Sequence, residues 1–193
     1  MMNATNTLQK IDRVRYYEMA DDGAFIDKRV ELIDGIITPR PKPTPLECIS
    51  LSLADQCLRP FFTNAVLRNQ APLQFNSFTE LEPDLALVPG NIREWEYVGI
   101  DHPGTAMLAI EVSESTLERD RTLKAPIYAR ANIPDYWIIN VRDNCVEVYR
   151  DSAPDPEAPR GFRYKTVTML KPPESISPLA NPAAQIPVAD LLP

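Results

Sequence analysis

Cysteine is scarce in this chain of 193 residues: only Cys48, Cys57 and Cys145 are present. An odd number with no Cys-x-x-Cys spacing argues against a disulfide framework and against a structural zinc site, and the expectation is free core thiols in a reducing cytoplasm. Histidine is scarcer still, with His102 alone. One histidine and no Gly-x-Ser-x-Gly leave little material for a metal-free hydrolase built on a side-chain nucleophile. No apolar run approaches the ~18 residues of a membrane helix. The opening MMNATNTLQK has neither the basic start nor the apolar core of a signal peptide, so a cytoplasmic protein is expected. Positive charge is also in deficit, Lys+Arg 20 against Asp+Glu 27 for a net charge of -7. That balance opposes unassisted binding to a polyanion, because phosphate contacts supply most non-specific affinity. A divalent metal held by converging acids would relieve part of the penalty.

What is present reads as one globular domain: 44% hydrophobic and 24% charged residues, at a length that fits one core. DRVRYYEMA (12–20) fits a short helix with Val14, Tyr17 and Met19 inward, and RVELIDGIIT (29–38) a hairpin turning at Asp34-Gly35. After the Pro-rich PRPKPTP (39–45), Leu46, Ile49, Leu53, Cys57, Leu58 and Phe61 recur at helical spacing. Three strand candidates follow at 65–75, 83–88 and 106–112, with an exposed loop over 89–105 between the last two. RTLKAPIYARAN (121–132) predicts a helix starting near Asp120 to Thr122, since Pro126 is tolerated only near a first turn. Strands at 133–141, 144–150 and 161–170 come next, with a loop over 151–161. The expected architecture is a mixed α/β sheet flanked by helices, a single domain over 1–170. A Pro-rich tail, 171–193, packs on it or extends from it. No internal repeat is evident.

Within LAIEVSESTLERDRTLK (108–124), Glu111 ends an apolar run, and a buried carboxylate is costly unless paired or metal-bound. Asp84 opens another such run, LALV. On adjacent central strands the two would project side by side, and with the backbone carbonyl of Val112 they would offer oxygen ligands to a hard cation such as Mg²⁺. Phosphodiester hydrolysis needs that ion and gains from a nearby positive charge. Ser113 cannot supply it; Lys124 can, since Asp120, Lys124 and Tyr128 recur at four-residue steps and share a helix face. The plainer alternatives are a solvent-facing strand-end acid at 84 and a solvated lysine at 124. Tyr128, Tyr136 and Trp137 read as core aromatics.

Taken in order, RYYEMADDG, VELIDGIITPRP, EPDLALV, AIEVSEST and RDRTLKAPIYARANIPDYWIINV resemble the Uma-two-type restriction endonucleases of the PD-(D/E)XK nuclease superfamily, over about Arg15 to Tyr149. The resemblance implies a restriction-endonuclease-like fold and Mg²⁺-dependent (Mn²⁺ as substitute) cleavage of DNA. It implies Asp84 and Glu111 as metal ligands, the active-site lysine migrated to Lys124, and Glu31 as an extra acid orienting a water or a second metal. Glu31 has its own alternative, an exposed hairpin position. A homodimer is implied as well, since two strands need two sites. A catalytically silent accessory protein that keeps the fold and its acids is the competing expectation. Two departures stand out. Leu46 and Glu47 lie where the family commonly has a histidine, and Asn140 stands where it has an acid, a position expected to serve strand-end hydrogen bonding.

Overall fold

Asp34 and Gly35 close the first hairpin with φ of 50° and 84°, the left-handed pair whose twist matches the flanking strands. In the computed structural model, which describes residues 10–91 and 101–193, they join β1 (Val30–Ile33) to β2 (Ile36–Pro39), with Ile33 opposite Ile36. A Cβ on Gly35 would stand 2.7 Å from the Lys10 Cβ. Gly35→Ala is therefore expected to lower stability by more than about 1 kcal/mol, through strain and clash together. Urea unfolding checks it, and an unchanged midpoint would show that the turn relaxes freely.

Helix α1 (Arg13–Asp21) is capped by Asp12, whose side chain accepts from the Arg15 N–H. Its buried residues are Arg13 and Tyr16, while Val14 is 59% exposed. Val14 thus faces outward against expectation, while Tyr17 and Met19, also expected inward, are half-buried. Polar anchors set the rotation: Arg13 Nε meets Glu80 at 2.7 Å, and the Tyr16 hydroxyl donates to the Val30 carbonyl. Strands β4 (Leu73–Asn76) and β5 (Thr79–Leu81) complete a four-stranded sheet in the order β2-β1-β5-β4.

The larger sheet contains β3 (Ala65–Asn69), β6 (Leu85–Pro89), β7 (Leu108–Ser113), β8 (Asp135–Asn140), β9 (Cys145–Pro154) and β10 (Phe162–Leu170), in the order β10-β9-β8-β7-β6-β3. The stretch 65–75, expected as one strand, is thus divided between the two sheets. Strand β9 runs on to Pro154, through residues expected in a loop. Within the expected loop over 89–105, residues 92–100 lie outside the described residues.

Only β7 and β8 run parallel; the other neighbours are antiparallel. A parallel pair needs a crossover, here α3 (Leu117–Arg119), a π-helical turn over Asp120–Lys124, and α4 (Ala125–Arg130). Helical structure therefore begins at Leu117, ahead of the expected start. Pro126 has no N–H for a regular helical bond and its ring crowds the preceding turn. The helix accommodates it by widening: the Ala125 N–H reaches the Asp120 carbonyl, five residues back.

Consecutive residues of the central strands alternate between two cores. Ala86, Ala109 and Ile138 join Tyr128 and Tyr136 on the crossover side. Leu87, Ile110 and Ile139 join Trp137 on the other. Both faces are covered, which explains the near-continuous apolar runs. The second face is roofed by α2 (Pro45–Leu58), which buries Ser50, Ala54 and Leu58 and leaves Leu46 and Ile49 exposed. That face is turned from the expected one because the small residues let the helix approach closely and the Ser50 hydroxyl donates to the Leu191 carbonyl.

The tail forms β11 (Ser175–Ile176), β12 (Ile186–Pro187) and a 3₁₀ turn (Val188–Leu191), burying Ile176, Ile186, Val188 and Leu191 in this second core. Among the cysteines, Cys145 is buried as expected, but Cys48 is exposed. No helix among the described residues is long and apolar enough to cross a membrane.

Candidate active site

Strand register assembles the site. Leu85 pairs with Ile110, and one step further places Asp84, just before β6, beside Glu111, two residues short of the end of β7. Alternation turns both side chains to the crossover side of the sheet, so the π turn and α4 close over them. Asp84 accepts from the Val112 N–H through Oδ2 at 2.8 Å. Glu111, 2% exposed, accepts through Oε1 from Lys124 Nζ at 2.8 Å and from the Tyr128 hydroxyl at 2.7 Å. Lys124 is 3% exposed, so the alternative of a solvated lysine does not hold. Tyr128 is a core residue as expected, yet its hydroxyl belongs to this network, a contact its helical spacing did not reveal.

Glu31 is 1% exposed and lies behind the pair. Its Oε1 is 3.2 Å from Lys124 Nζ and accepts from the Glu82 N–H at 3.1 Å, while Oε2 accepts from Arg119 at 2.6 Å. The alternative of an exposed hairpin acid is thereby removed. Arg119 also donates to the Pro39 carbonyl, and its Nε is the one buried side-chain nitrogen or oxygen among the described residues without a partner. Asp120 accepts from the Thr116 hydroxyl at 2.8 Å, and Thr116 meets Ser113 at 3.1 Å.

Arg40 enters from the residue just past β2. It donates to Asp84 Oδ1 at 2.6 Å and to Glu82 at 3.2 Å. Arg40, Asp84, Glu111, Val112, Asp120 and Lys124 line a cleft of about 40 Å³, room for a few water-sized groups, and neither Glu31 nor Glu82 is among its lining residues. His102 is not among the lining residues; it meets the Tyr17 hydroxyl at 3.0 Å. Asn140 donates to Asp143 and Glu147 at the strand end, the hydrogen-bonding role expected for it.

The electrostatics follow from burial and partners. Burial pushes the Glu111 carboxyl up to about 8; Lys124 opposes that rise, and Asp84 and Asp120 add to it. Burial would lower the Lys124 ammonium, but the Glu111, Glu31 and Asp120 carboxylates outweigh it and hold the group above its ordinary range. Burial would raise Glu31, yet Lys124, Arg40 and Arg119 hold it below the usual carboxylate value. The outer acid Glu111 is thus the one that holds a proton most readily, while Glu31 remains an anion.

The donor chemistry fits a hard divalent cation. Asp84, Glu111 and the Val112 carbonyl offer only oxygen, and Mg²⁺ is ordinarily held by one or two carboxylates with water and substrate oxygens completing its shell. No third carboxylate closes a cage: among the described residues no group of three or more His, Cys, Asp or Glu is set closely enough to hold an ion. Arg40, Arg119 and Glu82 were not singled out by the sequence reading. Their partners lie 44, 88 and 51 residues away along the chain, and no local spacing signals such pairs.

Comparison with known proteins bears on the family and the fold. The family model Uma2, described as "Putative restriction endonuclease", matches residues 15–189. A solved structure of "a putative nuclease belonging to DUF820" from Anabaena variabilis superposes with a TM-score of 0.63 at 16% identity, covering 94% of this chain and 97% of that one. It shares the fold. The type IIG restriction endonuclease BpuSI aligns with 54% of this chain and 11% of its own at a TM-score of 0.35 and 16% identity. No curated protein matches the chain.

Proposed function

The chain belongs to the Uma2 restriction endonuclease family, and on that premise we propose that it is a Mg²⁺-dependent endonuclease that hydrolyses DNA phosphodiester bonds at the Asp84–Glu111–Lys124 cleft. One observation carries the reading. Two acids on neighbouring strands, Asp84 and Glu111, share a cleft with a helix-borne lysine 2.8 Å from one of them.

In this reading Asp84, Glu111 and the Val112 carbonyl hold the cation, with Mn²⁺ able to replace Mg²⁺. The bound ion would polarise the phosphate and favour ionisation of the attacking water. Lys124 stays protonated at neutral pH, so it acts as a hydrogen-bond donor that orients the water and steadies charge on the phosphate, not as a base. Tyr128 and Glu31 fix the lysine's surroundings: the phenol shares Glu111 Oε1 with it, and the Glu31 carboxylate pulls from the other side. Glu31 would reach a cation or its water only by loosening Lys124. A homodimer acting in the cytoplasm, one site per DNA strand, completes the proposal.

Plasmid DNA with Mg²⁺ or Mn²⁺ tests it. The protein is expected to nick or linearise the plasmid, and Asp84→Asn is expected to reduce the rate by about 10²-fold or more. Equal activity in both proteins would reject the assignment. A second reading, a silent accessory protein on the same fold, draws on the Arg40–Asp84 ion pair and the net charge of -7. Metal-linked thermal stabilisation without cleavage would favour it.

A further inference from the structure

Lys124 and Arg40 divide the two candidate ligands between them. Lys124 is held on Glu111 and Glu31, and Arg40 is held on Asp84 and Glu82. The Arg40 side chain is 7% exposed, so its pairing with Asp84 is only weakly screened by solvent. Both Asp84 oxygens are engaged, Oδ1 by the guanidinium at 2.6 Å and Oδ2 by the Val112 N–H at 2.8 Å. A divalent ion arriving at Asp84 would meet a positive group already on the same carboxylate, and two cations a few ångströms apart in a partly dehydrated cleft repel strongly. Arginine cannot yield by losing its proton. It must move.

Its setting permits that. Arg40 follows the last residue of β2 and opens the segment 40–44, which has no regular secondary structure. Among the described residues its guanidinium hydrogen bonds go to two carboxylates and to no backbone carbonyl. Swinging it away therefore breaks no sheet or helix bond. Arg119 differs, since it is tied to the Pro39 carbonyl as well as to Glu31.

We propose that Arg40 is an internal counter-cation that competes with the divalent ion for Asp84 and so sets the affinity of the metal site. The inference rests on the metal-dependent reading above. In the metal-free protein Arg40 keeps Asp84 and Glu82 paired. On metal entry the ion replaces it at Asp84, and binding is weakened by the ion pairs lost.

Mn²⁺ titration of the full chain, read by the EPR signal of the free ion, tests this. Arg40→Met is expected to bind Mn²⁺ about tenfold tighter than the unaltered protein, a coupling of ordinary size. Lys42→Met removes the same charge from the same cleft lining, where Lys42 makes no ion pair with Asp84 among the described residues, and is expected to shift affinity by less than about threefold. Should the methionine variant fail to fold, Arg40→Gln gives the same comparison with a neutral donor in place. Affinity unchanged on losing Arg40, or changed equally in the Lys42 variant, overturns the inference. Adding Asp84→Asn separates the two levels. Binding that needs Asp84 but ignores Arg40 removes this inference alone, whereas binding that ignores Asp84 in every variant removes the metal-dependent reading with it.

Discussion

Glu111→Gln is expected to make the metal-free protein more stable at pH 8 and to abolish DNA cleavage. Burial raises the Glu111 carboxyl to about 8, well above its value in an unfolded chain, so the folded state binds the extra proton between those two pH values. Stability then falls as pH rises, because the slope follows the protons bound by the unfolded state minus those bound by the folded one. The contribution is fully present below the unfolded value and is lost as pH climbs through about 8. Glutamine preserves an acceptor for Lys124 and Tyr128 and carries no charge to bury. A gain of up to about 4 kcal/mol at pH 8, shrinking toward pH 5, is expected from a shift of this size. Denaturant unfolding at several pH values checks it. A variant that is less stable than the parent at pH 8 would show that the charged carboxylate is an asset of the folded state.

Lys124→Met carries the opposite expectation. It removes the cation shared by Glu111 and Glu31 and leaves buried acids facing each other, a loss of about 3–5 kcal/mol when one partner of a buried pair is deleted. Glu111 can relieve part of that by taking up a proton, so the loss should grow with pH. Glu31 has Arg119 at 2.6 Å and keeps its charge. Combining Lys124→Met with Glu111→Gln should recover stability beyond the sum of the separate effects, since the residues touch. Strict additivity in that double-mutant cycle would mean that the 2.8 Å pair carries no coupling.

The acids were legible because each sits at the end of an apolar run, and neighbouring strands with burial on both faces leave a carboxylate there few roles. Lys124 was legible through its interval with Asp120 and Tyr128 and through the family resemblance. The helix it rides on was misplaced by three residues at its start, because Pro126 is absorbed by a π turn and not by a helix terminus. Arg40 and Arg119 were not legible at all. Arg40 lies in a Pro-rich connection with no periodicity, and what it touches depends on how the hairpin folds back on β6. The tail was legible only as two alternatives, packed or extended, because its buried residues 176, 186, 188 and 191 follow turns, not a repeat. Val14 exposes the same limit, as buried polar anchors at Arg13 and Tyr16 fixed the helix rotation against the hydrophobic pattern.

Asp84, just before β6, and Glu111 in β7 are proposed to form a cation site faced by Lys124. An anomalous difference map from a crystal soaked in Mn²⁺ tests it most directly. The expected result is one peak bounded by an Asp84 oxygen, a Glu111 oxygen and the Val112 carbonyl, with Lys124 Nζ still on Glu111 and Arg40 withdrawn from Asp84. A cleft without a peak at saturating Mn²⁺, with Arg40 still paired to Asp84, would contradict the account.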